Sequence, residues 1–118
     1  MQINHVQVRA TNLDRMTRFW TELIGLERGY RPPFNSSGAW FYSNGRPIIH
    51  VMAVGDIMGD GPFDHVAIEG ADYRQLIARL QQHNADYRET SVPGSGDRQV
   101  FIAGPDGLKV EMLFPQGD

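Results

Sequence analysis

The chain has 118 residues, 41% of them hydrophobic and 21% charged, with a formal net charge of −3. That length and composition fit one packed domain and exclude a disordered segment. The absence of cysteine excludes a disulfide scaffold, a thiolate metal site and a thiol nucleophile, and the acidic balance without a basic patch argues against a nucleic-acid binder.

The chain opens with Ile3-Asn4-His5-Val6-Gln7-Val8-Arg9, which alternates like a half-buried strand. A helix pattern follows, with Leu13, Met16, Phe19, Trp20, Leu23 and Ile24 on one apolar stripe. Thr11 or Asn12 caps its start, and Gly25 stops it. Three strand-like runs come next, Leu26 to Arg31, Ala39 to Ser43 and Ile48 to Val54. Asn44-Gly45 joins the last two as a hairpin. Then the pattern starts again. Phe63-Asp64-His65-Val66-Ala67-Ile68-Glu69 repeats the opening strand at an offset of 60. Tyr73, Leu76, Ile77 and Leu80 make a second helical stripe, capped by Asp72 and ended by a left-handed Asn84. Asp86 to Thr90, Gln99 to Ala103 and Leu108 to Phe114 are the matching strands, with Pro105-Asp106-Gly107 as the matching turn.

The unit β-α-β-β-β is therefore written twice. The expected organisation is a single α+β domain over residues 1–118, with modules 1–54 and 63–118 joined by a Gly/Pro-rich linker at 55–62. The loops Pro32 to Gly38 and Ser91 to Asp97 are either lids or ordinary connections. The longest apolar runs are too short to cross a bilayer, and the N-terminus carries no signal-peptide pattern, so a cytoplasmic protein is expected.

Strand alternation sorts side chains by face. Val6, Val8, Ile49, Val51, Val66, Ile68, Val110 and Met112 face the helices. His5, His50, His65 and Glu111 then share the opposite face, at equivalent positions of the two repeats. If the sheets curl into a half-open mixed barrel, these four side chains converge. Imidazoles and a carboxylate in a dry cavity are costly unless something neutralises them. A divalent cation does so, accepting neutral imidazole nitrogen and anionic oxygen together; Zn, Ni, Co, Mn and Fe all suit such a set. His83, at a helix end, reads as a cation facing the helix dipole and not as a ligand. Arg9 and Lys109 are either anion-binding groups or solvated charges. Gln7, Trp40, Tyr42 and Phe101 either line a pocket or belong to the core.

The doubled unit, Asn4-His5-Val6, Asp64-His65-Val66-Ala67 and Asp106-Gly107-Leu108-Lys109-Val110-Glu111 together resemble the vicinal oxygen chelate superfamily. Its members include glyoxalase I, methylmalonyl-CoA epimerase, extradiol dioxygenases, fosfomycin-resistance enzymes and bleomycin-binding proteins. The resemblance covers nearly the whole chain and implies the glyoxalase/bleomycin resistance/dihydroxybiphenyl dioxygenase fold. It implies metal ligands on the first and last strands of each module, here His5, His50, His65 and Glu111. It also implies a two-fold homodimer and a small-molecule substrate.

The implied reaction is of glyoxalase I type, a proton transfer beside two metal-chelated substrate oxygens, with Glu111 as ligand or base. Arg9 matches an arginine of bacterial glyoxalase I, whereas His50 departs from the carboxylate found there. Extradiol dioxygenases imply the set His5, His65 and Glu111 with iron, and fosfomycin-resistance enzymes the same three residues. A basic cluster for a phosphonate is not evident here, with only Lys109 and Arg98 nearby. A ligand-sequestering protein without catalysis is the third reading, with the ligand held between aromatics such as Trp40 and Phe101.

Overall fold

The computed structural model describes residues 1–57, 59, 61–105 and 108–117. Met58 and Asp60 of the expected linker, and Asp106-Gly107 of the expected second turn, lie outside the described residues. The chain divides into two compact units, His5–Asp64 and residues 1–4 with 65–118. No helix among the described residues is long and apolar enough to cross a membrane.

In the first unit the order of strands is β2 (Glu27–Gly29), β3 (Gly38–Ser43), β4 (Arg46–Ala53) and β1 (Gln2–Ala10). β1 runs parallel to β4, with Val6 opposite Ile49 and Val8 opposite Val51. β4 and β3 form the expected hairpin, and Asn44 and Gly45 both hold positive φ, 51° and 77°. Two consecutive left-handed residues are what a tight hairpin needs and what an Asn-Gly pair tolerates best.

Helix α1 (Leu13–Arg18) starts at Asn12, whose side chain accepts a hydrogen bond from the Arg15 amide. From Phe19 to Ile24 the chain winds as a π-helix, ended by Gly25 at φ 96°. This divides the predicted stripe. Leu13, Met16 and Trp20 pack on Ala10, Ala39, Phe41 and Val51. Phe19, Leu23 and Ile24 are exposed. The wider turn, seen in the Gly25 amide bonding back to the Trp20 carbonyl, rotates Leu23 and Ile24 off the buried face.

β2 is shorter than the predicted Leu26 to Arg31. Leu26 is held by the helix end and packs in the core, while Arg31 is drawn into the following loop by hydrogen bonds to Ser36.

The second unit repeats the plan in the order β5 (Phe63–Glu69), β8 (Lys109–Phe114), β7 (Arg98–Ala103), β6 (Tyr87–Ser91). β5 and β8 are parallel and the other pairs antiparallel. Helix α2 (Tyr73–Gln82) is capped by Asp72 and followed by Asn84 at φ 50°, as expected. Its stripe, Tyr73, Leu76, Ile77 and Leu80, packs with Val100, Ile102, Met112 and Phe114. The chain leaves β5 so close to this core that a Cβ on Gly70 would stand 2.2 Å from the Phe114 ring.

Candidate metal centre

In the second unit Ala67 of β5 lies opposite Glu111 of β8. His65, two residues earlier on β5, therefore projects from the same face as Glu111. The His65 Nε2 stands 2.9 Å from Glu111 Oε1, and the two side chains are only 6% and 2% exposed. The other carboxylate oxygen accepts from Gln99 Nε2 at 3.3 Å, and Gln99 Oε1 in turn accepts from the Thr90 hydroxyl at 2.8 Å. Phe101 sits opposite Glu111 on β7 and meets the His65 ring edge-on at 5.6 Å. The carboxylate is thus aimed from both ends within a nearly dry surrounding.

This pair has the chemistry of two metal ligands. A divalent ion takes imidazole nitrogen and carboxylate oxygen at about 2.0–2.2 Å each, which leaves the two ligand atoms on the order of 3 Å apart. It also favours the deprotonated carboxylate and neutral imidazole that burial otherwise disfavours.

In the first unit His5 and His50 are also buried, at 3% and 5% exposure. Trp40 of β3 lies opposite His50 of β4. His50 is stacked on both faces, by Trp40 at 3.7 Å and 11° and by His5 at 3.5 Å and 16°. Its Nε2 lies 3.1 Å from the Pro47 carbonyl; a carbonyl accepts only, so that nitrogen carries the proton and donates. The equivalent residues of the two modules therefore meet differently: His65 and Glu111 through a hydrogen bond, His5 and His50 through their ring faces.

The other residues singled out from the sequence are placed as follows. Gln7 lies opposite His50 on β1. The Arg9 guanidinium donates to the Gly61 and Phe63 carbonyls at 2.9 Å each and stands 3.6 Å from Asp64, all within the unit His5–Asp64. Tyr42 follows a register shift in β3, packs against Gly29 and donates to the Tyr30 carbonyl. Burial and the neighbouring Tyr30 push its phenol above the ordinary value. It lines an open groove of about 640 Å³ with Arg28 and Asn44. Lys109 borders a separate cavity of about 280 Å³ with Arg88, Phe101 and Leu108.

Sequence reading missed Gln99 and Thr90. Alternation contained the signal: Gln99 is two residues from Phe101 on one strand, so both share the face of Glu111.

The sequence matches the Glyoxalase/Bleomycin resistance protein/Dioxygenase superfamily over residues 2–112, and the chain belongs to that family. Solved structures with the same fold include methylmalonyl-CoA epimerase from Mycobacterium tuberculosis, 19% identical, covering 97% of this chain and 87% of that one at a TM-score of 0.76. A variant of Streptomyces coelicolor methylmalonyl-CoA epimerase in complex with 2-nitronate-propionyl-CoA is 17% identical, with 99% of each chain covered and a TM-score of 0.69. A glyoxalase/bleomycin resistance protein/dioxygenase superfamily member from Vibrio splendidus 12B01 is 14% identical, with 92% of this chain and 95% of that one covered and a TM-score of 0.71. No curated protein sequence matches the chain.

Proposed function

We propose that the protein is a divalent-metal-dependent enzyme of glyoxalase I-like type, moving a proton at a carbon next to a pair of substrate oxygens. The observation that carries this reading is the buried His65–Glu111 pair, with the second Glu111 oxygen held by Gln99. His65 and Glu111 would hold the ion, and the family resemblance adds His5 to them. When bound, the ion supplies positive charge beside the substrate oxygens, which lowers the cost of taking a proton from the neighbouring carbon.

Glu111 is the group that either stays a ligand or detaches to move that proton. Gln99 restricts where the carboxylate can swing. Phe101, edge-on to His65, keeps water from that side of the pair. Lys109 and Arg9 are the cations proposed for an anionic end of the substrate; the Arg9 guanidinium also donates to the backbone of residues 61 and 63.

The family relationship supports an isomerase or lyase, and the epimerases of the same fold act on a CoA thioester by their names. The substrate class is accordingly a small molecule with a pair of oxygens placed to chelate, such as an α-hydroxycarbonyl, a thiol adduct of a ketoaldehyde, or an acyl thioester whose acyl group also bears a carboxylate. A two-fold homodimer in the cytoplasm fits this reading.

A second reading, an extradiol-type iron dioxygenase, is favoured by one observation. With His50 stacked on both faces, the ligands that the resemblance to extradiol dioxygenases implies are His5, His65 and Glu111, two imidazoles and a carboxylate of the kind non-haem iron oxygenases use.

The test is elemental analysis of the protein as isolated, followed by incubation in deuterated water with a hemithioacetal and with acyl-CoA thioesters. Metal together with deuterium at the carbon next to the carbonyl is the expected result. Dioxygen uptake with catechols and no exchange would move the assignment to the second reading. Tight binding of an aromatic ligand by metal-free protein, without turnover, would replace both with sequestration. Gln99→Leu is expected to weaken zinc affinity about 10–100-fold, the usual cost of losing a group that orients a ligand. Competition with a chromophoric chelator measures it, and an unchanged affinity would remove Gln99 from the site.

A further inference from the structure

We propose that His50 is not a metal ligand but a wedge that fixes the ring plane of His5. The inference rests on the metal reading above and concerns which residues serve it. An imidazole binds a metal through a lone pair lying in the ring plane, at about 2.0–2.1 Å. The His5 and His50 rings are nearly parallel, 3.5 Å apart at 16°. An ion in the plane of one ring therefore lies well out of the plane of the other, and the two cannot share it as they stand.

The rest of the His50 environment holds it there. Trp40 covers its far face at 3.7 Å, and its Nε2–H donates to the Pro47 carbonyl. Trp40 is itself flanked by Phe34 at 6.1 Å, and the Arg31 guanidinium sits 5.0 Å over Phe34. Trp40, His50 and His5 thus form a stack of three rings, with Phe34 tilted at 48° beside Trp40. Aligned ring faces restrict rotation about the last side-chain torsion of His5, which is otherwise broad and roughly two-fold. A ligand whose ring is already oriented binds its ion more tightly, because less rotational freedom is lost on binding.

Two substitutions separate a wedge from a ligand. His50→Phe keeps a flat ring between Trp40 and His5 but has no lone pair. His50→Gln keeps a metal-binding oxygen but cannot stack. The wedge predicts zinc affinity within about threefold of wild type for His50→Phe, and a loss of about 10–100-fold for His50→Gln, the range found when an orienting group is removed. A ligand predicts the reverse order. X-ray absorption of the zinc-loaded wild-type protein gives a count independent of any variant: two imidazoles in the first coordination shell support the wedge, and three overturn it. Wild-type protein that takes up no zinc would overturn the metal reading and the wedge with it. Zinc uptake with the affinity order reversed, or with three imidazoles, would overturn the wedge alone.

Discussion

Glu111→Gln should reduce solvent proton exchange at the substrate carbon by about 10²–10⁴-fold, the usual contribution of a positioned acid or base. The amide matches the carboxylate in size, so the residue still fills its place between His65 and Gln99. What changes is the charge. Position 111 is 2% exposed, and a neutral oxygen there neither balances a divalent ion nor accepts a proton at neutral pH. Zinc affinity should fall together with turnover while the circular dichroism spectrum is unchanged. Full exchange activity in a folded Glu111→Gln protein would remove Glu111 from the chemistry. Loss of the folded spectrum would instead show that the carboxylate serves the packing of β8.

The largest expected effect on stability is at Phe41. Its side chain is fully buried against Ala10, Ala39 and Val51, and Phe41→Ala should cost about 3–5 kcal/mol through lost burial and the cavity left behind. Leu23 lies on the apolar stripe read from the sequence, yet it is 73% exposed, and Leu23→Ala should fall within about 0.5 kcal/mol of wild type. Urea denaturation of the two variants measures the contrast. Equal losses would mean that Leu23 is covered in solution and that the stripe is buried along its whole length.

The difference between these two residues shows where sequence reading stops. Period-two alternation located the strands because one face packs apolar side chains against a helix while the other carries polar ones such as His5 and Glu111, and the side-chain period of a strand is fixed by backbone geometry. Asn12, Asp72, Asn44-Gly45 and Asn84 were legible because capping and left-handed backbone depend on a few adjacent atoms. The helical stripe after Phe19 was not. Its spacing assumed a regular α-helix, and the winding that turned Leu23 and Ile24 outward is settled by how Trp20 and Leu26 pack on the sheet. The short β2 has a similar origin, in side-chain bonds of Arg31 and Tyr42 that no propensity encodes. Gln99 carries no ionisable group to single it out, although its alternation with Phe101 places it on the face of Glu111.

The amino-acid sequence alone determined the duplicated β-α-β-β-β plan, the two apolar cores and the strand positions of His5, His50, His65 and Glu111. Those follow from local periodicity and from an offset between two copies. Only the tertiary structure decided how the four side chains face their neighbours. Across strands, Phe101 meets His65 edge-on and leaves its nitrogen to Glu111, whereas Trp40 lies flat on His50 and presses it against the ring of His5. A ring's orientation is set by the surface packed against it, and that surface comes from strands distant in the chain.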